Sequence, residues 1–337
     1  MRNGLISKMS FDFLEEAILT SALSLWDLPT KSKIRLINVS ENLTYLVKAN
    51  GIPQSILRVH RPDYRSQQEI ESELIWLGRI QSENLIATPT VFRGKDGARI
   101  QNIKSPNTGR MINLVMFEVV EGSNPEADDD QSELFYSLGE MAAILHKQVR
   151  LWTRPADFFR QHWNLEAIIG DNPLWGKWQN APGVTGEILS ILSRAEKHLC
   201  DKIMAFGQSN QNYGLIHADM RLANILRNND HLTLIDFDDC GFGWYLYDFA
   251  ASVSFMETRT DLEELKHEWL KGYRGIEPLS VNDERLIDSF VMLRRLALLA
   301  WVGSHMDSDE PKKLAPFFAH ESAELAENYL SSHCVTS

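Results

Sequence analysis

The chain has 337 residues, 44% of them hydrophobic and 24% charged, with a formal net charge of −12. Its length exceeds one typical domain, and this composition is that of a globular protein built in two lobes. The charge excludes a nucleic-acid surface, which needs a stripe of Lys and Arg, and requires that any polyanionic ligand meet a few placed cations.

Met1 to Ser10 is mixed and carries no signal-peptide pattern. Phe11 to Trp26 spaces apolar residues at Phe11, Leu14, Ile18, Ala22 and Leu25, which predicts a helix with Ser10 as its cap. From Lys33 the pattern changes to short β-branched runs, Ile34 to Ile37, Thr44 to Val47 and Ile56 to Val59, with Asn50-Gly51 as a turn before the third. These runs predict an antiparallel sheet. The loop Asn38 to Asn42 lacks a Gly-x-Gly-x-x-Gly cradle. Its amides and the side chains of Ser40 and Asn42 either receive phosphates or form a plain hairpin turn. Arg58 lies in the third strand, and Gln67 to Ile80 reads as a helix with Ile70, Leu74 and Leu77 inward and Glu69 and Glu73 on adjoining positions. Arg58 and Glu73 are either solvated charges or a strand–helix pair that holds a cation on nucleotide phosphates. The motif further along the chain favours the pair.

Pro89 to Phe92 and Asn113 to Val120 are further predicted strands, and the second ends at Glu121-Gly122-Ser-Asn-Pro. That shift sets a lobe boundary: residues 1–119 as a nucleotide-binding β lobe, a hinge at about 117–122, and 120–337 as a helical lobe. Backbone groups of Glu118 to Val120 are candidates for an adenine edge. Acids from Glu126 through Asp128 and Asp130 to Glu133 precede a helix over Leu134 to Gln148; they complement its dipole or attract an amine. Residues 151–181 hold Trp152, Trp163, Trp175 and Trp178 among turn formers, an insertion that either touches substrate or caps the core. Helices are predicted over Val184 to Phe206, Leu262 to Tyr273, Asn282 to Trp301 and Lys313 to Leu330, with Arg294-Arg295 interrupting an apolar segment. The longest apolar run, Leu296 to Val302, is too short to cross a bilayer. Cys200, Cys240 and Cys334 show no zinc or redox spacing, so the expectation is a cytoplasmic protein without a membrane partner.

The stretch from Leu215 to Ala250 carries the chemistry. Leu215-Ile216 delivers His217 and Asp219 to a loop, Asn224 follows five residues after the Asp, and the run Leu232 to Ile235 delivers Asp236. If the two runs pair as a hairpin centred near Asp230, Ile225 to Arg227 opposes Thr233 to Ile235. Asn224 and Asp236 then face each other roughly 5 Å apart at the backbone. An amide oxygen and a carboxylate so placed suit a hard cation such as Mg²⁺. Asp219 stands beside them, free to take a proton. Together they predict a phosphoryl-transfer centre.

His217-Ala-Asp219-x-x-x-x-Asn224, then Asp236 and a later Tyr247-Asp248-Phe-Ala, resembles the aminoglycoside phosphotransferase family. That family also contains choline kinases, type II homoserine kinases, hydroxylysine-kinase-like enzymes and bacterial stress-response Ser/Thr kinases. The resemblance extends over nearly the whole chain and implies an α+β, protein-kinase-like two-lobe fold, with a small antiparallel β lobe and a larger helical lobe. It implies that Asp219 accepts or orients the proton of the acceptor hydroxyl, that Asn224 and Asp236 bind Mg²⁺, and that His217 fixes the loop. It places Arg58 at the α/β-phosphates with Glu73 as its partner, and Arg221 near the transferring phosphoryl. Asp238 is either a further acid of the metal shell or a solvated or capping residue, and Asp248 ties its helix to the catalytic loop. Two departures are the missing phosphate-loop glycines and an Arg for Lys at 58, a planar fork in place of a point charge. The expected function is ATP- and Mg²⁺-dependent transfer of the γ-phosphoryl group to an alcohol of a small molecule: an amino alcohol, an amino acid or an aminoglycoside-like compound. The alternatives are a stress-response Ser/Thr protein kinase and a nucleotide-binding pseudokinase, whose signature would be loss of Asp219, Asn224 or Asp236.

Overall fold

The computed structural model describes residues 16–62, 64–126 and 130–334. The expected helix start at Phe11 and Leu14 with its Ser10 cap, and Asp128 of the acidic run, lie outside them. Alternation of apolar residues builds the first lobe. Helix α1 (Glu16–Ala22), extended by a 3-10 turn, precedes β1 (Lys33–Val39), β2 (Asn42–Ala49) and β3 (Ile52–His60). Helix α2 (Gln67–Ser82) follows, then β4 (Val91–Phe92), β5 (Ile100–Lys104) and β6 (Met111–Phe117). The antiparallel sheet runs β1-β2-β3-β6, with β4 and β5 both pairing with β6. Ile112, Leu114 and Met116 of β6 pack with Leu19, Leu23 and Trp26, while Val115 joins Ile70, Leu74 and Leu77 of α2. The Asn50-Gly51 turn has φ of 51° and 81°, the left-handed pair that closes a two-residue hairpin with the twist of its strands. Strand β5 escapes sequence reading because Gln101 and Asn102 dilute its apolar pattern.

In the second lobe, α3 (Ser132–Leu151) begins where Asp130 accepts the Ser132 N–H at 3.0 Å, so at least this acid of the run serves the helix start. The insertion contributes β7 (His162–Trp163) and α4 (Leu165–Ile169), and α5 (Gly186–Phe206) follows. The chemistry-bearing stretch folds as β8 (Tyr213–Ile216), β9 (Ile225–Asn228), β10 (His231–Leu234), β11 (Gly241–Trp244) and α6 (Leu246–Ser252). Five helices complete the lobe: α7 (Leu262–Ile276), α8 (Val281–Glu284), α9 (Ile287–Ser304), α10 (Asp309–Leu314) and α11 (Phe318–Cys334). Helix α9 is buried on nearly all sides, with Arg294 and Arg295 enclosed among its apolar residues. Trp163, Trp175 and Trp178 are buried, with Trp163 and Trp175 edge to face at 5.1 Å, so these three cap the core. No helix among the described residues is long and apolar enough to cross a membrane.

Helices α3 and α7 touch backbone to backbone at a pair of glycines. A Cβ on Gly139 would stand 2.0 Å from the Trp269 carbonyl oxygen, and one on Gly272 would stand 2.0 Å from that of Tyr136. Gly139→Ala and Gly272→Ala are therefore expected to destabilise by about 1–3 kcal/mol through overpacking, read from urea unfolding midpoints. Gly78→Ala in α2, where a Cβ meets open space, should instead stabilise by up to about 1 kcal/mol. The same response at all three positions would refute the close-approach account.

Candidate active site

Strand β8 ends at Ile216, and the chain then turns through Ala218 in a left-handed conformation, φ 67°. Such a turn in a residue with a Cβ must be held, and Asp248 holds it. Its carboxylate, fully buried, accepts the N–H of His217 at 3.2 Å and of Ala218 at 2.7 Å. His146 of α3 lies against the same carboxylate at 3.0 Å, and its other nitrogen meets the Tyr273 hydroxyl at 3.1 Å. His217 is also fully buried. Its Nδ1 accepts the Asp219 N–H at 3.2 Å, which leaves Nε2–H to donate to the Ile235 carbonyl at 3.2 Å. Burial lowers its pKa, so the neutral ring is the stable form. Phe237 packs on His217 at 4.5 Å and on Trp76 of α2 at 5.4 Å between ring centres, linking the His217 loop to the first lobe.

Asp219 is braced from three sides. Arg294 of α9 pairs with Oδ1 at 2.6 Å, the Asn224 amide donates to Oδ2 at 2.6 Å, and Arg221 Nε approaches Oδ2 at 3.4 Å. Burial alone would raise this carboxyl; the charges of Arg221 and Arg294, with the Asn224 hydrogen bond, outweigh it and hold the pKa below the usual range. The second amide hydrogen of Asn224 goes to the Asp219 carbonyl at 2.9 Å, so its Oδ1 is left as an acceptor. Arg294 is backed by Trp175 at 5.3 Å and Tyr247 at 5.8 Å. In the sequence Arg294 stands out as a charge in an apolar helix, and that oddity is its signal.

The hairpin differs in register from the expected one. Leu226 pairs with Thr233 and Arg227 with Leu232, closed by the two residues Asn229-Asp230 with Asn229 at φ 53°. Asn224 therefore opposes Ile235, whose N–H it accepts at 2.9 Å, and not Asp236. A slip of one residue turns a strand side chain to the other face. Asp236 leaves the strand at once, at φ 61°. Its Oδ1 lies 3.6 Å from Arg58 NH1. Arg58 NH2 binds both oxygens of the fully buried Glu73 at 2.7 Å, which decides for the strand–helix pair. The Asp236 carboxyl is held above the ordinary range by the deep cleft around it and by the charges of Asp238, Asp219 and Glu73, with Arg58 pulling the other way. Since 47% of its side chain stays accessible, crowding of negative charge is the part that a cation can relieve.

Asn224 and Asp236 supply oxygen only. Among the described residues no group of three or more His, Cys, Asp or Glu is arranged to hold a metal unaided. Two protein oxygens completed by phosphate oxygens and water are a usual Mg²⁺ arrangement, so the residues fit a cation that arrives with a nucleotide.

Two residues expected to meet ligands meet each other. Asn42 is buried and donates to Asp238 Oδ2 at 3.0 Å, across to the second lobe. Asp238 is buried among Asn42, His60 and Arg65. Ser40 donates its N–H to the Asn42 carbonyl at 3.0 Å, the bond of a tight hairpin turn. Next to it, Glu41 reaches across to α9 and accepts the Trp301 indole N–H at 3.0 Å. At the strand end, Glu118 gives its N–H to Thr90 at 2.8 Å, while residues 119–122 make no backbone hydrogen bond among the described residues. Gly122, at φ 141°, lets the chain press on β9, where Ser123 and Arg227 exchange both backbone bonds. Sequence reasoning also missed Arg160, which donates to the carbonyls of Glu69, Cys240 and Asp238 and so staples the insertion to α2 and to the loop after Asp236.

A family model described as "Phosphotransferase enzyme family" matches residues 33–280. A solved microcompartment-associated aminopropanol kinase is 43% identical, covering 94% of this chain and 98% of its own, with a TM-score of 0.86. The amicoumacin kinase of Bacillus subtilis (strain 168) is 24% identical over 323 residues, 90% of this chain and 91% of its own. A solved amicoumacin kinase in complex with AMP-PNP, Ca²⁺ and Ami shares the fold at 21% identity and TM-score 0.75, over 92% of this chain and 93% of its own. With residues 33–280 matched, the chain belongs to the phosphotransferase enzyme family and is a phosphotransferase of the protein-kinase-like fold.

Proposed function

We propose that the chain transfers the γ-phosphoryl group of ATP to the hydroxyl of a small amino alcohol, with 1-aminopropan-2-ol as the first acceptor to test. The observation that carries the reaction is the braced Asp219 carboxylate beside Asn224 and Asp236. The acceptor class rests on the similarity to an aminopropanol kinase over nearly the whole chain, and the use of ATP is supported by the AMP-PNP of the amicoumacin kinase. The nucleotide lies between residues 1–119 and 120–337, its base against the 117–122 hinge, at the Glu118 carbonyl and the backbone of Val120.

Phosphoryl transfer through a loose transition state leaves the protein mainly to position groups and spread charge. Asn224 Oδ1 and the Asp236 carboxylate would hold Mg²⁺, which supplies neutralisation of phosphate charge when bound. Arg58, fixed by Glu73, keeps its NH1 edge toward Asp236 and the cleft. Arg221 remains partly exposed between Asp219 and Glu310, where it meets the transferring group. Asp219 stays ionised at neutral pH, and a carboxylate held so acidic orients the acceptor hydroxyl more than it pulls its proton. His217 and Asp248 keep that carboxylate in place.

Asp219→Asn is expected to lower kcat by roughly 10²–10⁴-fold while leaving MgATP affinity close to wild type, measured by ADP release and by calorimetry. Full turnover by this variant would end the assignment. Asp236→Asn, which retains a residue tolerant of the left-handed backbone, should lose both turnover and the Mg²⁺-dependent part of AMP-PNP binding. Arg294→Met removes a charge that keeps Asp219 acidic, so the acidic limb of the kcat/KM–pH profile moves to higher pH; an unmoved limb would show that Arg294 does not tune Asp219. Propan-2-ol, which lacks the amine, should be a far poorer acceptor than 1-aminopropan-2-ol, and equal rates would remove the amino-alcohol class.

A further inference from the structure

Four buried polar atoms without a hydrogen bond among the described residues belong to one cluster: Asn42 Oδ1, His60 Nδ1, Arg65 Nε and Asp238 Oδ1. Their residues are 5%, 1%, 8% and 6% exposed. Buried polar groups are almost always paired, so four together call for one explanation. Asn42 and His60 oppose each other across β2 and β3. The Asn42 amide binds Asp238 Oδ2, His60 Nδ1 stands 3.9 Å from Asp238 Oδ1, and Arg65 Nε stands 4.0 Å from Asp238 Oδ2. Gaps of this size are too long for direct hydrogen bonds and suit groups that share a bridging molecule.

Donor and acceptor roles identify that molecule. Arg58 Nε–H donates to His60 Nε2 at 3.3 Å, so the neutral ring carries its proton on Nδ1. The cluster then offers two donors, His60 Nδ1–H and Arg65 Nε–H, and two acceptors, Asn42 Oδ1 and Asp238 Oδ1. A cation would meet two N–H groups and the Arg65 charge. An anion would meet two oxygens and the Asp238 charge. Water alone among common small species presents two hydrogens and two lone pairs. We propose that one ordered water is bound among Asn42, His60, Arg65 and Asp238, and that His60 is a positioning residue. It joins Arg58, the cation of the nucleotide side, to the loop that carries Asp236. The water thus adds a joint between the two lobes, beside the direct Asn42–Asp238 bond, at the point where phosphate and metal ligands must keep register.

The water itself is independent of the proposed reaction, whereas the positioning role of His60 rests on it. A high-resolution crystal structure of the full chain with AMP-PNP should show one isolated peak within hydrogen-bonding distance of all four atoms. Direct contact among the four groups, or a peak refining as an ion, overturns the water. In kinetics, His60→Phe keeps the ring and loses both nitrogens; kcat/KM for MgATP is expected to fall about 10- to 100-fold, with KM for 1-aminopropan-2-ol unchanged. His60→Asn places an amide N–H where Nδ1–H was and should restore most of the loss. Equal losses in both variants, or a loss that appears in the acceptor KM, overturn the positioning role. Should His60→Phe not fold, by thermal unfolding, His60→Asn against wild type carries the kinetic test: near-wild-type values support the role and a full loss opposes it. If the wild-type chain does not phosphorylate 1-aminopropan-2-ol, the acceptor assignment fails while the density still decides the water.

Discussion

The buried carboxylate of Asp248 is the contact on which the loop from His217 to Asn224 depends. A charge taken wholly out of water is tolerated only when its lone pairs are satisfied, and here two backbone N–H groups and a histidine satisfy them. Those two N–H groups belong to His217 and Ala218, so the acid that must be satisfied is what keeps Ala218 in its left-handed turn and aims Asp219 into the cleft. His146 carries the dependence outward. It sits on α3 and is bonded to Tyr273 of α7, and those helices meet at the glycine pair. Close helix packing some distance from the chemistry thereby fixes the imidazole, the imidazole fixes the carboxylate, and the carboxylate fixes the loop.

Electrostatically the cleft runs against the rest of the molecule. A chain of net charge −12 gathers Arg58, Arg65, Arg160 and Arg294 as buried residues around Asp219, Asp236 and Asp238. Arg58, Arg65 and Arg160 are anchored on Glu73, on Asp239 and on backbone carbonyls, whereas Arg294 pairs with Asp219 itself. Aromatic rings under Arg58 and Arg294 help to hold the guanidinium planes. The few placed cations required by the composition are therefore present, and most are held at both ends.

What the sequence made legible was local. His217, Asp219 and Asn224 lie within one loop, and the five-residue interval alone brings amide and carboxylate together. Arg58 with Glu73 could be weighed because strand and helix are adjacent in the chain. The hairpin register was misjudged by one residue because both Asn229 and Asp230 suit a turn, and nothing in that stretch says whether it takes two residues or three. The contacts that failed to appear in the sequence are long in chain separation: Arg294 to Asp219, Asn42 to Asp238, Arg160 to Cys240. Their residue types are ordinary, and only the folded arrangement gives each its partner. The tryptophans of the insertion, ambiguous as a string, resolve once Trp163, Trp175 and Trp178 are seen to be buried.

Asp236 occupies a left-handed backbone position immediately after a strand, with its carboxylate turned toward Arg58. Two demands meet in that one residue. Asn suits the backbone but lacks the charge; Glu has the charge but neither the short arm nor the ease in that conformation; Gly accepts the φ and offers no ligand. With Asp236 as the proposed cation ligand, position 236 therefore has no neighbour in amino-acid space that meets both demands, whereas a lysine at 58 would keep the charge and meet Glu73 as a point in place of a fork.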